Sequence, residues 1–248
     1  MSEFMNTIDL LGDEATVKAI IEKTITEFND NICESIGYHA FYGCSALTRV
    51  DLPNVTSIGS SVFNSCKALT SVDLPKATSI GGYAFQSCSA LTRVDIPNVT
   101  SIDSSAFNGC SALTSVELPK VTSIGYSVFQ SCSKLTSVEL PNVTSIGNNT
   151  FYNCSALTRV DLPNVTSIGV YAFNGCSKLT TVILRSPTVC TLVNTNAFGG
   201  TPFASGGTGG TAYVPQSLIS QYQSETNWSK LYAAGTCNFV AIEGSEYE

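Results

Sequence analysis

The sequence predicts a solenoid: 22-residue coils stacked into a parallel β-sheet, closed by a helical N-terminal cap and an irregular C-terminal cap. Three observations carry this. Phe41, Phe63, Phe85, Phe107, Phe129, Phe151 and Phe173 recur at intervals of 22, with no residue inserted or lost. Cys44, Cys66, Cys88, Cys110, Cys132, Cys154 and Cys176 keep the same register, as do the leucines from Leu47 to Leu179. Within one unit, FNSCKALTSVDLPKATSIGGYA, the apolar positions are Phe63, Cys66, Leu69, Val72, Leu74, Ala77 and Ile80. Those few side chains bury too little surface to offset ordering a whole coil, so a single coil does not fold and stacking is obligatory.

The elements follow in chain order. Residues 13–28 place Val17, Ile20, Ile21, Ile25 and Phe28 on one helical face behind Asp13 and Glu14, whose charge suits a helix start; this is the expected cap, within a unit spanning 1–32. The solenoid is assigned to 33–198. In each coil Val72 and Leu74 alternate around Asp73, which makes this segment the strand. The prolines at 53, 75, 97, 119, 141 and 163 lack an N–H and end it. Gly59, Gly81, Gly125, Gly147 and Gly169, with Asp103 in their place once, predict a turn of positive φ, followed by a tight helical turn into the next Phe. After Leu184 the register breaks, and 199–248 forms the C-terminal cap. It holds a glycine-rich loop, a short helix from Gln216 with Leu218, Ile219 and Tyr222, and the aromatic plug Trp228, Tyr232 and Phe239.

The pattern Leu-x-x-Val-x-Leu-Pro followed by Ile-Gly-x-x-Ala-Phe-x-x-Cys resembles the BspA-type (Treponema-type) leucine-rich repeats of bacterial surface proteins, over about residues 33–198. The resemblance implies a leucine-rich repeat solenoid, curved and right-handed. For function it implies adhesion or protein recognition, and a cell-surface or extracellular location. A compositional likeness to bacteriophage-encoded repeat proteins makes a virion the alternative. Residues 1–11 contain Glu3 and Asp9, lack a basic start and carry no apolar run, so they read as no signal peptide.

Composition excludes several classes. The net charge is −7, with 12 bases against 19 acids, so no basic footprint for nucleic acid exists. No apolar run has the length of a membrane span, and no membrane insertion is expected. The single histidine, His39, lacks an orienting partner for acid–base catalysis and excludes a multi-histidine metal site; no enzyme activity, metal or cofactor is expected. The glycine-rich loop carries no Gly-Lys-Ser/Thr, so it is not a phosphate loop. The repeated cysteines form no Cys-x-x-Cys pair and read as a buried, reduced ladder, with Cys33, Cys190 and Cys237 outside it. Asn54, Asn98, Asn142 and Asn164 match a glycosylation sequon, but the triplet belongs to the coil itself, and Lys76 and Lys120 replace the asparagine in other copies.

The informative surface is the outward strand column Asp51, Asp73, Asp95, Glu117, Glu139 and Asp161, flanked by Arg49, Arg93 and Arg159. Carboxylates one rung apart, about 5 Å, repel by about 1 kcal/mol in water-like dielectric and about 3 kcal/mol at an effective value of 20. Three arginines relieve this, while Glu117 and Glu139 have none beside them. The column is either a solvated, self-compensating face or a recognition surface for a protein or cell-surface ligand with basic groups; a cation site is a further alternative. At the level of the whole chain the readings are a binding or adhesion module, or a structural spacer or fibre component.

Overall fold

The computed structural model describes residues 14–204 and 206–248. The chain winds through two stacks of short parallel strands. The main stack begins at Glu27–Asn29 and continues through Arg49–Asp51, Ser71–Asp73, Arg93–Asp95, Ser115–Glu117, Ser137–Glu139, Arg159–Leu162 and Thr181–Leu184. The second is built from the Ser-Ile pairs, from Ser35–Ile36 to Ser167–Ile168, and ends on Thr191–Leu192. Register is set by the repeat: Val50 faces Val72 and Val72 faces Val94, so equivalent residues form columns. The valines point inward and their neighbours outward, as a two-residue period requires. The main stack is hydrogen-bonded in two blocks, with a seam between Arg93–Asp95 and Ser115–Glu117.

Stacking aligns like with like. The eight rings from Phe41 to Phe173 and Phe198 form a continuous pile, with centroids 5.2 to 5.7 Å apart and planes within 15° of parallel. Offset stacking at this separation adds to their burial energy. Six ladder thiols, from Cys66 to Cys176, each donate to a phenylalanine carbonyl in the preceding coil, Cys88 Sγ to Phe63 O at 3.0 Å and Cys154 Sγ to Phe129 O at 3.0 Å, while Cys44 Sγ donates to Ile20 O at 3.8 Å. All ten cysteines are free. Threonine hydroxyls repeat a similar bond on the outside, Thr92 Oγ1 to Thr70 O at 3.0 Å. Asn98 Nδ2 donates to Pro75 O, and Lys120 Nζ donates to Asn98 Oδ1, both at 2.6 Å. The sequon asparagines thereby tie neighbouring coils together.

The repeat glycines depart from expectation. Gly59, Gly81, Gly125, Gly147 and Gly169 are not at positive φ. They allow close approach instead: a Cβ on Gly81 would lie 2.7 Å from the Gly59 carbonyl carbon and the Ser60 nitrogen. Positive φ occurs two residues later, at His39, Ser61, Tyr83, Ser105, Ser127, Asn149 and Tyr171, and again four residues beyond, at Gly43, Ser65, Ser87, Gly109, Ser131, Asn153 and Gly175. The links are hydrogen-bonded turns rather than helix, with Cys66 N donating to Phe63 O at 3.1 Å.

Both ends hold more repeat structure than expected. The N-terminal helix, α1, spans Glu14–Ile21 and not the whole of 13–28; Ile20 is buried, but Ile21 is 56% exposed. From Ile25 onward the chain is already a coil. Ile25, Thr26 and Phe28 take the places of Leu47, Thr48 and Val50, and Phe28 pairs with Val50 in the main stack. The 22-residue register continues here, yet its markers are missing because α1 replaces the Phe and Cys turn. Phe28 tilts over Phe41 at 4.8 Å and closes that end of the ring pile. Asp13 and residues 1–11, where no signal peptide was read, lie outside the described residues.

The C-terminal segment contains the expected helical stretch, a 3₁₀ turn at Gln216–Leu218 leading into α2 (Ile219–Ser224), and a further helix, α3 (Trp228–Ala233). It is also not irregular throughout: Gly210–Val214 and Cys237–Ala241 add two parallel strands to the main stack. Trp228 is fully buried against Phe198, and its Nε1 donates to Cys190 O at 2.8 Å. Cys190 N donates to the Tyr222 hydroxyl at 2.9 Å. The plug therefore satisfies backbone groups that the missing next coil would otherwise have met.

Candidate functional site: the outward face of the main stack

The strand period turns one residue in two away from the core, and stacking at fixed register lines these up. All nine residues singled out by sequence lie on this face: Arg49, Asp51, Asp73, Arg93, Asp95, Glu117, Glu139, Arg159 and Asp161. Their arrangement is not uniform. Arg93 Nη2 binds Asp95 Oδ2 at 2.8 Å within its own strand. Arg159 Nη2 lies 3.3 Å from Asp161 Oδ2. Arg49 makes no ion pair with Asp51 or Asp73, so the relief expected from it is absent. Asp51, Asp73, Glu117 and Glu139 are without ion-pair partners among the described residues.

Arg185, which the sequence reading did not single out, grips Asp161 in a two-pronged contact, Nε to Oδ1 and Nη2 to Oδ2, both at 3.1 Å. Its signal was present: it stands directly after Leu184, where six earlier coils carry proline. Tyr247 was also missed. Its ring sits 4.6 Å from the Arg159 guanidinium and meets Tyr213 edge-on at 4.6 Å. Ile183, between Asp161 and Tyr213 in the outward column, is fully buried. The C-terminal end of the face is thus closed by aromatic and arginine contacts, and Arg159 and Asp161 are engaged within the chain.

The open part carries two depressions. One of about 290 Å³ crosses the seam, lined by Arg93, Asp95, Ser115 and Glu117. The other, of about 490 Å³, is lined by Ser137, Glu139, Arg159, Asp161 and Arg185. It lies where Glu139 and Asp161 form the sole ladder pair between their strands. Glu117 and Glu139 face each other across one rung, and each opens into one depression. This arrangement holds paired, exposed carboxylates beside shallow concavities, which suits contact with cationic groups.

Other candidates resolve differently. His39 stacks on Tyr38 at 3.6 Å, and burial, then the nearby Lys23 charge, holds its pKa below the usual imidazole value. It faces no carboxylate partner. Among the described residues no three His, Cys, Asp or Glu side chains gather as a metal site, and no helix is long and apolar enough to cross a membrane. Burial pushes the thiols of Cys44, Cys66, Cys88, Cys110, Cys132 and Cys154 up, Cys88 and Cys132 to about 12, leaving them protonated and unreactive near neutral pH.

A sequence profile described as a BspA-type leucine-rich repeat region matches residues 19–120 and 100–205, in six copies. Among solved structures, a leucine-rich cell surface protein from Faecalibacterium prausnitzii is 29% identical with a TM-score of 0.62. The match covers 73% of this chain and 59% of that one. This chain therefore matches little more than half the length of that relative. A leucine-rich repeat protein of T. pallidum is 32% identical with a TM-score of 0.56, covering 62% of this chain and 77% of that one. A search of curated proteins returns no match.

Proposed function

Because this chain belongs to the family of BspA-type leucine-rich repeat proteins, typically protein-interaction or surface modules, we propose that it is a non-enzymatic recognition module binding a protein or cell-surface partner through the open face of its main stack. The observation that carries this is the pair Glu117 and Glu139. They are exposed, register-matched and, among the described residues, without an ion-pair partner, between two depressions. Nothing in the packing requires a carboxylate there, and like charges one rung apart are mildly destabilising. A partner presenting lysine or arginine side chains relieves that repulsion on binding. A bacterial cell surface is the setting this reading adopts, in line with the description of the Faecalibacterium relative.

The test is charge reversal. Glu117→Lys with Glu139→Lys should leave stability within about 1 kcal/mol, since both residues are exposed. It should sharply weaken binding to any partner captured from host-cell or matrix extract. Lys76→Glu with Lys120→Glu, beyond the strand-ending prolines, should change binding less. Equal losses from both pairs would indicate nonspecific electrostatics, and no loss from the glutamate pair would remove this face and favour a structural spacer.

A further inference from the structure

A second surface lies away from the carboxylates, on the turn segments between the Ser-Ile strands and the phenylalanine pile. Here two side-chain columns run along the stack. One is His39, Ser61, Tyr83, Ser105, Ser127, Asn149 and Tyr171; the other is Tyr42, Asn64, Gln86, Asn108, Gln130, Tyr152 and Asn174. Towards the C-terminal end they enclose an open cleft of about 530 Å³, lined by Gln130, Asn149, Tyr152, Tyr171 and Asn174. None of the five carries a charge.

Three properties separate this cleft from an ordinary solvated flank. First, its polar groups are unspent: among the described residues the side chains of Gln130, Asn149, Tyr152 and Tyr171 make no hydrogen bond, and Asn174 uses only Nδ2, which donates to Asn196 O at 3.3 Å. Earlier in the same column one amide pair is satisfied internally, Asn64 Nδ2 donating to Gln86 Oε1 at 2.8 Å. Second, Tyr171 occupies the left-handed backbone region at φ 58°, where a bulky side chain is disfavoured relative to the asparagine or serine found in other coils. Packing does not demand it, since it is 41% exposed. Third, Asn149 and Tyr171, like Gln130, Tyr152 and Asn174, sit on successive coils, so the groups repeat at the rung spacing of about 4.8 Å.

From this we infer that the cleft is a binding site for an uncharged oligosaccharide. Amides supply paired donors and acceptors that match adjacent hydroxyls, and tyrosine offers an apolar ring face with a polar edge. The volume lies in the range of small-ligand sites. The absence of charge among the lining residues disfavours sialylated or sulfated sugars, and it distinguishes this site from the carboxylate face, on which it does not depend.

The experiment uses the full chain on an array of uncharged oligosaccharides built from glucose, galactose, mannose and N-acetylglucosamine, with sialylated and sulfated glycans as the charged arm. Tyr152→Asn and Tyr171→Asn copy residues already present at equivalent positions, Asn174 and Asn149, so both variants fold. Saturable binding to uncharged glycans, competed by the free sugar, should weaken roughly tenfold in each variant. It should be unchanged in the Glu117→Lys, Glu139→Lys protein. Binding to no uncharged glycan, binding to charged glycans alone, or affinity unchanged by both tyrosine substitutions would each overturn the inference. Loss of a protein partner through these substitutions, with no sugar bound, would overturn it too and assign the cleft to protein contact.

Discussion

Gly81 and Gly109 are glycines for opposite reasons. At Gly81 the backbone has ordinary φ but lies against the preceding coil, and an added Cβ would sit 2.7 Å from backbone atoms that cannot move aside. At Gly109 the φ is +76°, yet a Cβ would meet Ser87 at an ordinary 3.6 Å, and the same position holds serine in other coils. Gly81→Ala should therefore cost roughly 2 to 3 kcal/mol through overpacking. Gly109→Ala should cost about 1 kcal/mol, the ordinary penalty of a side chain in the left-handed region. Urea titration of both decides this. Equal losses would mean that backbone conformation, not inter-coil contact, explains the repeat glycine.

At the scale of the element, each coil is held by its neighbours more than by itself. Phe107 is fully buried, with Phe85 5.2 Å away on one side and Phe129 5.7 Å on the other. Phe107→Ala should lower stability by about 3 to 5 kcal/mol, as truncation of a large core aromatic does. Thr114, exposed at the edge of the next strand, makes no side-chain hydrogen bond among the described residues, and Thr114→Ala should stay within about 0.5 kcal/mol. Similar urea midpoints for the two would contradict the ring pile as the core. The periodicity, the strand and its proline stop were legible because each rests on local spacing. The role of glycine was not, since an inter-coil clash is invisible in one coil.

For the whole molecule, the buried thiols couple stability to alkaline pH. Burial raises Cys88, Cys132, Cys190 and Cys237 from an ordinary 9.0 to about 12. In the unfolded chain these groups lose their protons near pH 9, while the folded chain retains them to about pH 12. Between those limits the unfolded state binds fewer protons, so stability falls as pH rises, by up to about 1.4 kcal/mol per unit for each thiol. Below pH 9 their contribution is constant. Urea midpoints under reductant should be level from pH 7 to 8.5 and drop steeply by pH 10.5, with a shallower drop in Cys132→Ala. A flat profile across that range would place these thiols in contact with water.

The 22-residue register by itself determined the solenoid, its inward columns of Phe, Cys, Leu and Val, and the outward run of acids from Asp51 to Asp161, because equal spacing forces equivalent residues onto one line. Only the tertiary structure decided what happens where the register fades. Phe28 completes a coil without its marker residues, and two strands beyond Leu184 pair at irregular intervals. Tyr247 reaches Arg159 from far along the chain and, with Arg185 of the next coil already holding Asp161, Glu117 and Glu139 are left without ion-pair partners among the described residues. Such contacts depend on where loops of unequal length return the chain, and a local pattern carries no record of that.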